Sequence, residues 1–221
     1  MRKRLLIVMG ISMLLLSSCS LFGGNSTPQA TPVVKAPASK QVFTYPLTGI
    51  TDITTFDPAL AFDAQSISAI QMVFTGLVQL NDKQQIAGAL AQNWSVSPDG
   101  LDWTFHLKKN LKFSNGTPLT SADVAYSIDR ALQPATKSSV APIYLSLVRD
   151  SDKLLAGSVS TLINDSLLTP DASTIVIQTK TKAPYFLSML THPCSYVVEK
   201  QLIQVYGANF TDHLIDRKSV V

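Results

Sequence analysis

The sequence predicts a mixed α/β body, of the α+β kind, behind an export segment. Two alternating runs, residues 93–97 and 101–107, flank Ser97-Pro98-Asp99-Gly100. That is a hairpin signature, because proline presets one backbone angle and Asp-Gly tolerates the turn. Residues 120–132 place Val124, Ile128, Ala131 and Leu132 on one helical face. Strands and helices mix through the chain without a strict βαβ alternation and without an internal repeat. With 46% apolar and 15% charged residues over 221 positions, the chain can bury a core.

Residues 1–18 read as a lipoprotein signal peptide. Arg2, Lys3 and Arg4 precede an apolar run over residues 5–16. Such a helix reaches about 18 Å, short of a bilayer core of about 30 Å, so it is an export core and not a span. Leu16-Ser17-Ser18-Cys19 resembles the lipobox of bacterial lipoproteins. The resemblance implies cleavage before Cys19 and a diacylglycerol on its thiol. Residues 19–41 carry Gly23, Gly24, Pro28, Pro32 and Pro37 among small and polar residues. That composition does not pack and predicts a flexible tether.

In the body, residues 42–47 are expected to form a strand. Residues 65–76 are expected to be helical, with Ile67, Ile70, Val73 and Phe74 on one face and Gly76 as the stop. A short strand over 77–80 follows, then a turn at Asn81-Asp82. After the 93–107 hairpin, Asn115-Gly116 marks another turn. Thr120 with Asp123 resembles a capping box opening the 120–132 helix, although Asp is shorter than the usual Glu. Asp123, Ser127 and Arg130 point away from its buried stripe, and Pro134 prevents its continuation. A short helix is expected within 141–152 after Pro142, while 160–168 fits neither period. Residues 174–179 alternate as a strand. Residues 184–190 are a helix with Pro184 in its first turn. Residues 196–198 are a short strand, and 199–206 are a helix closed by Gly207.

The inventory excludes several kinds of chemistry. The net charge of +3 comes from the three basic residues before Cys19, after which 15 basic residues meet 15 acidic ones. No basic patch for nucleic acid remains. Cys19 and Cys194 are the only cysteines, too few for a disulfide scaffold or a four-cysteine metal site. Glu199 is the only glutamate, so a catalytic glutamate pair is impossible. His106 alternates with Trp103 and Phe105 and is expected to be a partly buried structural residue. His192 and Cys194 are separated by one proline, which does not place them for proton transfer. Cys194 is expected to be an inert buried thiol. No catalytic residue, metal site or cofactor is assigned. Trp94, Trp103, Phe105, Phe113 and Tyr126 cluster in sequence and read chiefly as core, with a ligand-facing surface as the alternative.

The segment DGLDWTFHLKKNLKFSNGTPLTSADVAYSIDRAL, residues 99–132, closely resembles the signature of the oligopeptide/dipeptide-binding lipoproteins of ABC importers, extracellular solute-binding protein family 5. Trp103-Thr104-Phe105-His106-Leu107, Phe113-Ser114-Asn115-Gly116, Asp123-Val124, Tyr126 and Arg130 carry it. Phe56-Asp57-Pro58, Phe74-Thr75-Gly76-Leu77 and Ala89-Leu90-Ala91-Gln92-Asn93-Trp94 match upstream. Ala183-Pro184-Tyr185-Phe186 and Tyr206-Gly207 match downstream.

The resemblance implies a fold like the type II periplasmic binding proteins. Only the first lobe, with an inserted β-rich subdomain, is expected to be represented, without the second lobe. Residues 42–57 would start lobe I, 58–170 would form the β-rich subdomain, and 171–221 would return to lobe I. Family members are more than twice as long, so a truncated chain or a fragment is expected. The implied role is capture of a peptide or other small solute for importer permease subunits, at the outer face of the bacterial cytoplasmic membrane or in the periplasm, with the membrane held through lipid on Cys19. Phe62, Asp63 and Ala64 are expected to line the ligand through backbone strand addition, and Tyr144 to line the pocket. The alternatives are a vestigial lipoprotein that binds nothing and a lipidated extracytoplasmic hydrolase.

Overall fold

The computed structural model describes Pro37 and residues 52–213. The expected signal peptide, Cys19 with the rest of its tether, the strand at 42–47 and the last eight residues lie outside the described residues. The chain divides into units Met1–Pro46 and Leu47–Val221, and every element below belongs to the second.

Helix α1 (Ala64–Val73) leads to a two-stranded antiparallel hairpin, β1 (Val78–Leu80) and β2 (Ile86–Gly88). Strands β3 (Ala91–Val96) and β4 (Asp102–Leu107) form the expected hairpin, with Gly100 at φ +80 and its N–H bonded to Ser97 O at 2.8 Å. Only glycine takes that angle without a Cβ penalty. Helix α2 (Ser121–Leu132) and a 3₁₀ turn (Pro134–Thr136) follow, then the short helices α3 (Ala141–Tyr144) and α4 (Ser151–Leu155). Strands β5 (Leu167–Asp171) and β6 (Thr174–Gln178) return to β4, giving a sheet of order β3-β4-β6-β5 with every pair antiparallel. The chain ends its described part with α5 (Phe186–Met189), a 3₁₀ turn (Pro193–Ser195), α6 (Lys200–Tyr206) and a 3₁₀ segment (Gly207–His213).

Two apolar clusters hold the body. In the larger, Trp103, Phe105 and Leu107 of β4 and Ile175 and Ile177 of β6 meet Val124, Ile128 and Leu132 of α2. Each such side chain contributes about 1.5–3 kcal/mol on full burial. The smaller joins Ala61, Ile70 and Phe74 to Tyr196, Val198 and Phe210, so it is built from both ends of the described chain. The sheet continues through Gln178, across the 170/171 position where the resemblance divides subdomain from lobe.

Helix α2 starts as the sequence predicts. One Asp123 carboxylate oxygen accepts both the Thr120 N–H at 2.8 Å and the Thr120 hydroxyl at 3.0 Å, so the shorter acid still reaches. Other expectations need correction. Helix α1 ends at Val73, where Phe74 N–H closes on Ile70 O at 2.7 Å. Gly76 does not stop it. A Cβ at Gly76 would lie 2.9 Å from Tyr196 Cδ1, so its smallness admits that ring. Strand β2 has no counterpart among the expected elements. Pro142 lies inside α3 and does not precede it. The helix expected at 184–190 is only four residues long. Residues 196–198 join neither sheet, because Val197 N–H goes to Thr75 O and Val198 N–H to Ser127 Oγ. Ser127 is therefore buried. His106 is exposed on the far face of β4.

Candidate functional site

The Asp-Pro motif and the arginine of α2 form one junction. Asp57, 5% exposed, accepts from Arg130 Nη1 at 3.0 Å and from Nη2 through its second oxygen. The Arg130 guanidinium also lies 5.1 Å from the centre of the Phe210 ring. Asp57 Oδ1 accepts Ala59 N–H at 3.0 Å, which folds the loop leading to residue 61.

That loop presents Phe62, a residue 69% exposed between buried Ala61 and the helix start. Asp63 is the N-cap of α1, and its Oδ1 accepts Ser66 N–H at 2.8 Å. Its other oxygen takes the Thr54 hydroxyl. These bonds, the Ser66 N–H first, hold the Asp63 carboxyl down at about 2. The Asp63 C=O is already bonded to Ile67 N–H at 3.0 Å. Ala64 is helical and not part of an extended loop. The expected triplet thus stays together, but its outer face offers chiefly the Phe62 ring and the main chain before the helix.

Tyr144 sits apart from that triplet. It ends α3, packs against the larger cluster, and stacks on His192 with ring centres 3.8 Å apart and planes 12° apart. His192 Nδ1 accepts the Cys194 main-chain N–H at 3.2 Å. Burial keeps the imidazole neutral, down at about 4, and pushes the Cys194 thiol up to about 12. A thiol so held is no nucleophile near neutral pH. Trp103, Phe105 and Phe113 are buried, while Trp94 and Tyr126 are half-buried. Among the described residues no three His, Cys, Asp or Glu side chains gather as a metal site, and no helix is long and apolar enough to cross a membrane.

A mixed α/β body with this sheet and junction is the class of fold found in type II periplasmic binding proteins. A Haemophilus influenzae OppA complexed with RPPGFSPFR superposes with a TM-score of 0.66 at 26% identity, over 71% of this chain and 31% of that one. A family model described as bacterial extracellular solute-binding proteins, family 5 Middle, matches residues 85–215, and the chain belongs to that family. It is 31% identical over 160 residues to a dipeptide-binding protein of Lactococcus lactis, covering 72% of this chain and 29% of that protein. It is 30% identical over 192 residues to the periplasmic murein peptide-binding protein MppA of Escherichia coli, covering 86% and 34%. The chain therefore spans about a third of the length of these relatives. They are solute-binding proteins, not enzymes.

Proposed function

We propose that this chain is the first-lobe part of an extracytoplasmic solute-binding lipoprotein that captures peptides for an ABC importer. The carrying observation is family membership over residues 85–215, together with relatives named for dipeptides, oligopeptides and murein peptide. Residues 42–57 begin the lobe. The β-rich subdomain starts at 58 and includes the whole sheet, and the chain then returns to the lobe beside α1. Phe62 and the main chain of 62–63 meet the solute, with Ala64 supplying its N–H from the first helical turn. Tyr144, stiffened by His192, forms a flat wall farther along. Main-chain pairing explains affinity without selection of one side chain.

Lipid on Cys19 anchors the protein at the outer membrane face, and the permease receives the solute there. Two or more acyl chains are needed for firm anchoring, at about 0.8 kcal/mol per buried CH2. Fractionation of cells expressing Cys19→Ser tests the anchor. Release of the protein from membranes is expected, and unchanged retention contradicts it. Titration of the membrane-extracted chain with di- to pentapeptides, read by Trp94 and Trp103 fluorescence, tests capture. A saturable change is expected. No response at millimolar peptide supports the vestigial alternative instead.

A further inference from the structure

A depression of about 450 Å³ opens beside the first hairpin, lined by Gln71, Gln79, Leu80, Gln84, Thr191 and Tyr196. None of the six side chains carries a charge at neutral pH. Three are amides, each with a donor and an acceptor, and two carry hydroxyls. Gln71 and Tyr196 form one side of the wall.

The other wall is the edge of β1. Its register pairs Val78 with Gly88, Gln79 with Ala87 and Leu80 with Ile86. Ala89 N–H bonds Leu77 O, and Asn81 N–H bonds Gln85 O, both at 2.9 Å. Hydrogen-bonded pairs alternate along an antiparallel ladder, so residues 77, 79 and 81 face β2. The main-chain N–H and C=O of Val78 and Leu80 consequently point away from it. Val78 is buried, but Leu80 is 47% exposed, and β2 is the only sheet partner of β1 among the described residues. An open strand edge is a template for another extended chain. Amide side chains match the donor–acceptor pattern of peptide units, whereas a charged group would shed water against uncharged walls.

We propose that this depression binds an extended, uncharged stretch of peptide whose main chain pairs with Leu80 and whose flanks meet Gln79, Gln84 and Thr191. The site is distinct from the Phe62–Asp63 loop and does not rest on solute capture there.

The test is a titration of the ¹⁵N-labelled, detergent-solubilised full chain with acetyl-Thr-Val-Gln-amide, and with the same peptide N-methylated at its valine. The Leu80 amide resonance is expected to shift saturably, and the N-methylated peptide to bind about fivefold or more weakly, as loss of one main-chain donor predicts. Leu80→Pro removes the outward donor and should abolish the shift at Gln79, while the Ala89 amide, bonded to Leu77 O and remote from the substituted residue, keeps its position and reports an intact hairpin. Thr191→Lys, which touches no strand pairing, should weaken binding in the same direction and decides the matter if the proline variant loses its hairpin. An unmoved Leu80 amide overturns the proposal, as does equal binding of the N-methylated peptide or undiminished binding by Thr191→Lys. Shifts confined to residues 61–64 also overturn it, while supporting capture at the Phe62 loop.

Discussion

Arg130 grips Asp57 across 73 residues of sequence with both terminal nitrogens, and its guanidinium rests near the Phe210 ring of the smaller cluster. Asp57 closes the entry to the Phe62–Asp63 loop, Arg130 belongs to the helix that covers the sheet, and Phe210 comes from the far end of the described chain. One planar cation thus ties three segments together. A guanidinium suits that role because it forms a two-pronged bond to a carboxylate and packs against an aromatic ring at once.

Removing one partner of this junction should be costly. Asp57→Ala leaves a guanidinium whose side chain is only 14% exposed without its anion. The expected loss is about 3 kcal/mol or more, read from urea unfolding. The double variant Asp57→Ala/Arg130→Met should lose less than the sum of the single losses. A single-variant loss below about 0.5 kcal/mol, the level of ordinary surface substitutions, would contradict the junction.

The neutral His192 gives stability a pH dependence. Its folded value lies at about 4, below the unfolded value of 6.5. Between these values the unfolded chain binds more protons, so stability is full above 6.5 and falls as pH drops toward 4. His192→Phe keeps a ring on Tyr144 and should flatten that slope. A slope unchanged in the variant would assign it to other groups.

Cys194 should be silent. It is 1% exposed with its thiol pushed up to about 12. In the native protein at pH 8, iodoacetamide should leave the Cys194 peptide unmodified, and unfolding in urea should expose it. Rapid native alkylation, located by peptide mass mapping, would contradict this burial.

Helix α2 should depend on its cap. Asp123→Ala removes the carboxylate that accepts both Thr120 donors. A loss of about 0.5–2 kcal/mol is expected by thermal or urea unfolding. An unchanged midpoint would mean that solvent satisfies Thr120 equally well.

What the sequence showed and withheld follows the range of each interaction. The Ser97–Gly100 turn, the Asp123 cap and the stripe Val124–Ile128–Leu132 are local, and periodicity or turn chemistry reveals them. Asp57 and Arg130 stand in separate motifs, and nothing local says that they meet. Ser127 looks like a residue off the buried stripe until Val198 arrives from 71 residues away to bond its hydroxyl. Residues 196–198 have strand composition, yet their amides are claimed by Thr75 and Ser127, so no ladder forms. Strand β2 carries little sequence signal, because Ile86 is its sole β-branched residue and Gly88 weakens the pattern. At the candidate site, Phe62 was legible as a loop residue. The second bond to Asp63 was not, because Thr54 reaches it from nine residues upstream, whereas its cap on Ser66 N–H is local.

The most direct test of peptide capture is native mass spectrometry of the chain extracted from its membrane in mild detergent, with a pool of di- to pentapeptides added. The expected spectrum shows a protein mass that includes acyl chains on Cys19 and one retained peptide per molecule, which free competing peptide displaces. An acylated protein that never retains peptide at any concentration of the pool would contradict it.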